Sequence, residues 1–277
     1  YATPTPSYGF DYSLYRISGN DTAYNALITY VIPESPASEV GLKRGEWIMQ
    51  INDDYITKKT EKLLTEGENQ KLLLGKYVSA VNDEGEDESK IESYRDVVLP
   101  AARPVEDVAI PAYDVYSSGS INVGYLAYNS FNKEDNSELL QLSQFFKDKD
   151  ITDLVIDLRY NAGGEMECVQ LLADILVPAD RLESPFAFLQ YNDKQSSKNR
   201  DLILDSQLLQ GGANLNLPKV YIITSGTTAG AAEMLINCLK PYMTIVLIGQ
   251  TTKGEYVATE TFINPKYPWA LRPVVCE

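Results

Sequence analysis

A hydroxyl activated by an amine is the nucleophilic chemistry left to a chain that contains no histidine. Without His, the Ser-His-Asp and Cys-His mechanisms and the usual zinc sites are excluded together. The hydroxyls Ser225, Thr227 and Thr228 follow the apolar run Val220–Thr224. Lys253 stands two residues before Glu255, on the same side of an extended segment. Thr228 with Lys253 is therefore one conceivable hydroxyl–amine pair, although turn and capping duty is the expected role of such hydroxyls. Gly163-Gly164 follows the apolar run Leu154–Leu158, and taken alone such a pair marks only a turn. Cys168, Cys238 and Cys276 are few, odd in number and far apart, so no disulfide framework is expected. Cys168 and Cys238 fall on the apolar stripes of expected helices and read as buried, inert thiols.

The elements that must position these residues change character along the chain. Up to about residue 103 the pattern is short strands with one or two helices. Ala26–Ile32 is a β-rich run ended by Pro33, Pro36–Leu42 reads as a short helix, and Trp47–Asn52 as a strand entering a turn. The acidic stretch Asp83–Glu88 lacks the alternating ligand spacing of a calcium loop and reads as a solvated hairpin tip. Pro100, Pro104 and Pro111 punctuate a linker-like stretch. From residue 120 strands alternate with helices. Ile121–Tyr128, Leu154–Leu158, Val220–Thr224 and Ile245–Gly249 are apolar runs, the last three suited to burial on both faces. Ser137 is placed to cap a helix carrying Leu139, Leu142 and Phe146, Val169–Leu176 reads as helical, and a third helix carries Ala231, Leu235 and Leu239. This alternation predicts a mixed or parallel sheet covered by helices.

Of the 277 residues 44% are hydrophobic and 23% charged, a balance that places the chain among globular proteins of one or two domains. A net charge of −15 opposes association with nucleic acid or an anionic membrane surface. No apolar run reaches the roughly 20 residues of a membrane span. The start at Tyr1-Ala2-Thr3-Pro4 and the ending at Val275-Cys276-Glu277 suggest that the natural chain is longer.

Three stretches carry a family resemblance. One is Asp157-Leu158-Arg159-Tyr160-Asn161-Ala162-Gly163-Gly164. A second runs from Thr227-Thr228-Ala229-Gly230-Ala231-Ala232-Glu233 to Thr251-Thr252-Lys253-Gly254-Glu255. The third is Ser35-Pro36-Ala37 through Gly41-Leu42-Lys43-Arg44-Gly45-Glu46-Trp47-Ile48. Together they resemble the tail-specific, or carboxyl-terminal processing, serine peptidases, over about residues 8 to 277. The resemblance implies an α/β (α+β) fold. A PDZ-like, β-rich peptide-binding domain over residues 1–104, with 1–7 as a leading segment, would precede a crotonase-like αβ peptidase core over 105–277.

In that family a Ser at the head of a helix attacks the substrate, and a Lys 25 residues later takes its proton. The matching positions here are Gly230 and Glu255. The resemblance further implies an oxyanion hole built from backbone N–H groups at Gly163, Gly164 and Ala231. It implies a peptide-binding loop and edge strand at Gly9, Phe10, Asp11 and Tyr12, where successive N–H groups and strand addition receive a terminal carboxylate. No cofactor and no metal are implied. Glycine carries no nucleophile, so the expectation is a catalytically inactive relative. The resemblance implies a place in the bacterial cell envelope, periplasmic or at the surface, with anchoring through a segment outside this stretch as one arrangement. Its partners would be polypeptide C-termini or unfolded segments. The alternatives are an active peptidase using Thr228 or Ser225 with Lys253, and a structural subunit that partners an active relative; the oligomeric state is not legible.

Overall fold

The computed structural model describes residues 6–81, 85, 89–106, 108–267 and 269–277. Apart from Gly85, the acidic stretch Asp83–Glu88 lies outside the described residues. The chain divides into two compact units, Tyr1–Asp107 and Val108–Glu277.

Alternating apolar residues build the first unit as an antiparallel sheet. Its long strands are β1 (Phe10–Ile17), β2 (Asn20–Val31), β3 (Trp47–Ile51), β4 (Gln70–Val78) and β5 (Lys90–Leu99), paired in chain order. The short strand Asp54–Tyr55 pairs back onto β3. Ala26 and Ile28, and Leu72 and Leu74, enter the core at the period of two, while Ile48 and Ile51 both enter it because a bulge between Ile48 and Gln50 shifts the register of β3. The sequence places a helix over Pro36–Leu42, but only α1 (Pro36–Glu39) is helical. Ser35 caps it by accepting from Ser38 N–H, Pro36 opens it, and the left-handed backbone of Gly41 (φ +67°) ends the turn.

The second unit is built on a five-stranded sheet of β6 (Ala112–Ser118), β7 (Ile121–Ala127), β8 (Asp153–Asp157), β9 (Lys219–Thr224) and β10 (Thr244–Gly249). The spatial order is β10-β9-β8-β7-β6. β7 to β10 are mutually parallel and β6 is antiparallel to β7, so the sheet is mixed. The helices α2 (Asn136–Asp148), α3 (Met166–Leu176) and α4 (Ala231–Leu239) connect the strands. Leu154, Ile156, Val220 and Ile222 meet Leu172, Leu176, Leu235 and Leu239 in one core.

Two expectations fail here. Ser137 does not cap α2. A short 3₁₀ turn, Lys133–Asp135, runs directly into the helix, so the cap position falls on Asp135 and Ser137 lies inside the first turn. β10 is not buried on both faces. It closes the edge of the sheet, and Leu247 and Ile248 each remain 49% exposed. Among the described residues, no helix is long and apolar enough to cross a membrane.

Candidate active site

The site in the second unit forms where β8 and β9 end, on the carboxyl side of the parallel strands, where such sheets place their crevices. Asp157, the last residue of β8, is buried and held by the Arg159 guanidinium, with Nε to Oδ1 at 2.9 Å and Nη2 to Oδ2 at 2.5 Å. Tyr125 on β7 donates its hydroxyl to the same carboxylate at 3.0 Å. Burial alone would raise the Asp157 pKa. The Arg159 bonds and the Tyr125 hydroxyl outweigh it and hold the carboxyl below its usual range.

Asn161 fixes the loop that follows. Fully buried, it donates from Nδ2 to Tyr128 O at 2.9 Å and accepts Gly163 N–H on Oδ1 at 2.9 Å. Its own carbonyl accepts Ala229 N–H at 3.0 Å, which ties this loop to the head of α4. Gly163 and Gly164 adopt φ +114° and +140°, open to glycine and hostile to other residues. An ideal Cβ on Gly163 would lie 3.3 Å from Ala231 N and 3.7 Å from Gly230 Cα. The structure thus brings Gly163, Gly230 and Ala231 together. Of the three expected oxyanion donors, Gly163 N–H already serves Asn161. Ala231 opens α4, so its N–H is among the first-turn donors without an acceptor inside the helix.

Gly230 has φ +53° and ψ −113°, a sharp elbow at the head of the helix. A Cβ built there would meet only ordinary contacts, one of them Glu255 Oε2 at 3.8 Å. Positions 230 and 255, distant in sequence, face each other. Glu233 sets that proximity. Its buried carboxylate accepts Gly230 N–H at 3.0 Å, Gly254 N–H at 2.7 Å and Glu255 N–H at 2.7 Å. Burial would raise the Glu233 pKa, but the Thr252 side chain and these three backbone donors lower it on balance.

The hydroxyls upstream are otherwise engaged. Thr228 is fully buried, and its Oγ1 donates to Leu158 O at 2.7 Å and accepts Ser225 N–H. Ser225 Oγ donates to Arg159 O, and Thr227 Oγ1 donates to the same carbonyl at 2.6 Å. Lys253 Nζ pairs with Glu255 Oε1 at 2.5 Å, a contact that raises its pKa and keeps it protonated. Cys168 is fully buried, and burial with Glu165 and Glu167 nearby pushes its thiol up to about 12. A thiol in that state is a poor nucleophile. No group of three or more acidic or cysteine side chains able to hold a metal ion occurs among the described residues.

The candidate peptide edge lies in the first unit. Among the described residues β1 is the outer strand of its sheet, paired with β2. Gly9 has φ +77°, and a Cβ there would lie 2.2 Å from Ser35 Cβ, so the turn is closely packed. Gly9 N–H donates to Ser7 Oγ, and Gly9 O accepts Ile32 N–H and the Ser35 hydroxyl. Phe10 is buried, Tyr12 half-buried and Asp11 exposed. Glu61 lies close enough to Tyr12 to raise its pKa, after burial.

Residues 122–269 match the model of peptidase family S41. The chain belongs to that family. A solved S41 protein, a putative protease from Bacteroides fragilis, is 44% identical with a TM-score of 0.88, covering 100% of this chain and 72% of that one. The carboxy-terminal processing protease CtpA of Bacillus subtilis is 26% identical over 230 residues, which are 83% of this chain and 44% of the relative. CtpB of the same organism is 24% identical and likewise matched over 44% of its length. This S41 chain therefore spans less than half of these curated relatives. A photosystem II D1 C-terminal processing protease shares the fold, at 17% identity and a TM-score of 0.55.

Asn161 is the contributor that sequence reasoning passed over. Its signal was an Asn two residues before a Gly, the pattern of a side chain closing its own turn.

Proposed function

We propose that this S41 protein is a catalytically inactive homologue of the carboxyl-terminal processing peptidases that binds C-terminal ends of polypeptides in the bacterial cell envelope. One observation carries the inactive reading: the 3.8 Å approach of a Gly230 Cβ to Glu255 Oε2. Positions 230 and 255 are juxtaposed as a Ser–Lys pair requires, yet they hold a hydrogen and a carboxylate. A carbonyl placed there meets no nucleophile, and Glu255 has no proton to take from Gly230. A relocated pair would need Thr228 to leave Leu158 O and Lys253 to leave Glu255, and small misplacements already cost orders of magnitude in rate. The PDZ-like first unit supplies the binding reading, through the outer strand β1 and the turn at Gly9.

Two measurements test it together. A fluorophosphonate probe should leave the protein unlabelled; labelling that disappears in Thr228→Ala or Ser225→Ala would establish the relocated-hydroxyl enzyme instead. Peptides with a free C-terminus should bind in fluorescence anisotropy and lose about tenfold or more in affinity when amidated. Equal binding of both forms would leave a structural subunit of an active relative as the better reading.

A further inference from the structure

A cleft of about 520 Å³ opens on the first unit, away from β1, between the Gly41–Glu46 loop and the strands β4 and β5. Among the described residues, Lys43, Arg44, Lys76 and Arg95 line it with one carboxylate, Glu46. That excess is local, because the chain as a whole carries −15. Field lines from a concave wall of one sign concentrate at its mouth.

The cleft is organised around Glu46, whose side chain is only 8% exposed. It accepts Lys43 N–H at 2.8 Å, the Arg95 guanidinium at 3.1 Å and the Tyr94 hydroxyl. Glu46 is therefore neutralised and satisfied from within. The Arg95 fork is spent as well, on Glu46, on Tyr94 Oη at 3.0 Å and on Gly41 O at 2.7 Å. Lys76 lies over the Tyr94 ring, with Nζ 4.4 Å from the centroid. The Tyr94 ring thus fixes one ammonium in place while its hydroxyl is held by the buried carboxylate. Lys43 is anchored through its backbone to the same carboxylate, and its side chain is exposed.

We propose that this cleft binds a small phosphate-bearing molecule, a site separate from the peptide edge and from the S41 centre. The chemistry favours phosphate over carboxylate. Planar carboxylates are best held by a guanidinium fork; the Arg95 fork is occupied and Arg44 is engaged in a contact of its own, which leaves the ammoniums of Lys43 and Lys76 among the lining residues. The lysine ammoniums act as point charges, which suit a tetrahedral anion with several acceptor oxygens.

The test is calorimetric titration of the intact chain with pyrophosphate and, in parallel, with malonate, at low ionic strength. The acidic stretch Asp83–Glu88 is then present, so any competition from it is included in the result. Saturable pyrophosphate binding is expected, weakened about tenfold or more in Lys43→Ala and in Lys76→Ala, with partial recovery in Lys76→Arg. Both lysines are exposed, and unchanged melting of the variants confirms that the fold is intact. Absence of saturation, or equal affinity in wild type and both variants, refutes the site. Malonate binding as tightly as pyrophosphate refutes the phosphate preference. None of these readings depends on peptide binding or hydrolysis, so this inference can fail without the functional proposal failing.

Discussion

A side chain added at residue 230 meets opposing demands. Space admits it, since the nearest atoms to a Cβ stand 3.8 Å away, but φ +53° with ψ −113° is strained for any residue other than glycine, at about 1–3 kcal/mol. Glycine at this position carries no such strain. Gly230→Ser combined with Glu255→Lys restores the residue types of a hydroxyl–amine pair across the gap. The double variant is expected to acquire fluorophosphonate labelling at the cost of a lower melting temperature, while Gly230→Ser alone stays unlabelled. A double variant that folds yet remains unlabelled means that the backbone donors no longer converge on the site. Glu233 is the other residue on which the geometry turns. Glu233→Ala leaves the N–H groups of Gly230, Gly254 and Glu255 without their acceptor, a loss on the order of 3 kcal/mol. Amide exchange at Gly254 and Glu255 should rise well above that of the β8 strand; unchanged protection would mean that another group holds the loop.

The elements show which physical signals reach the sequence. β8 and β9 were readable as near-continuous apolar runs because they lie inside the sheet, with one face buried and the other half-buried, while among the described residues β10 carries the same composition at the sheet's edge. Hydrophobicity reports capacity for burial, and neighbours decide whether it is used. The head of α2 misled for a related reason. A capping residue is recognised by type, but the 3₁₀ turn at Lys133–Asp135 shifted the helix start upstream of Ser137. In the site, the family resemblance pointed to positions 230 and 255, which the fold brings to 3.8 Å between a Gly230 Cβ and Glu255 Oε2. The side-chain work of Asn161 and the Tyr125 contact to Asp157 were not legible, because both depend on packing between distant strands. Gly164 was legible as a glycine but not for its reason. The β7–α2 connection passes so close that a Cβ would lie 2.3 Å from Phe131 O. Gly164→Ala must push that connection aside and also force φ +140° on an alanine. It is expected to destabilise the protein by about 3 kcal/mol or more, read as a drop in the denaturation midpoint, whereas Gly211→Ala, with nothing near its Cβ, pays only for its φ. Equal effects of the two would show that sterics at Phe131 are not the constraint.

At the scale of the whole molecule, three carboxyls give stability opposite dependences on pH. Asp157 and Glu233 have pKa values lowered in the fold. Their contribution is present above the unfolded carboxyl range and is lost as acid protonates them. Asp174 on α3 does the reverse. It is fully buried, accepts only Asp205 N–H at 3.0 Å on Oδ1, and leaves Oδ2 without a partner among the described residues. Burial, with Asp205 and Glu183 nearby, raises its pKa from 3.8 to about 8. Between those values the folded chain holds a proton that the unfolded chain has released. Stability therefore falls as pH rises through that window and levels off above about 8. Asp174→Asn keeps an acceptor for Asp205 N–H and removes the titration. It should raise stability by several kcal/mol at pH 8, up to about 5 kcal/mol for a shift from 3.8 to about 8, and by little near pH 4, flattening the slope in denaturant titrations run across that range. Because 39 acidic residues face 24 basic ones, diffuse repulsion could produce a similar alkaline decline, and salt separates the two. Added salt screens the surface charges but leaves the buried Asp174 contribution in place, so the wild-type and Asp174→Asn curves should still diverge at 0.5 M salt. Curves that merge there would assign the decline to net charge.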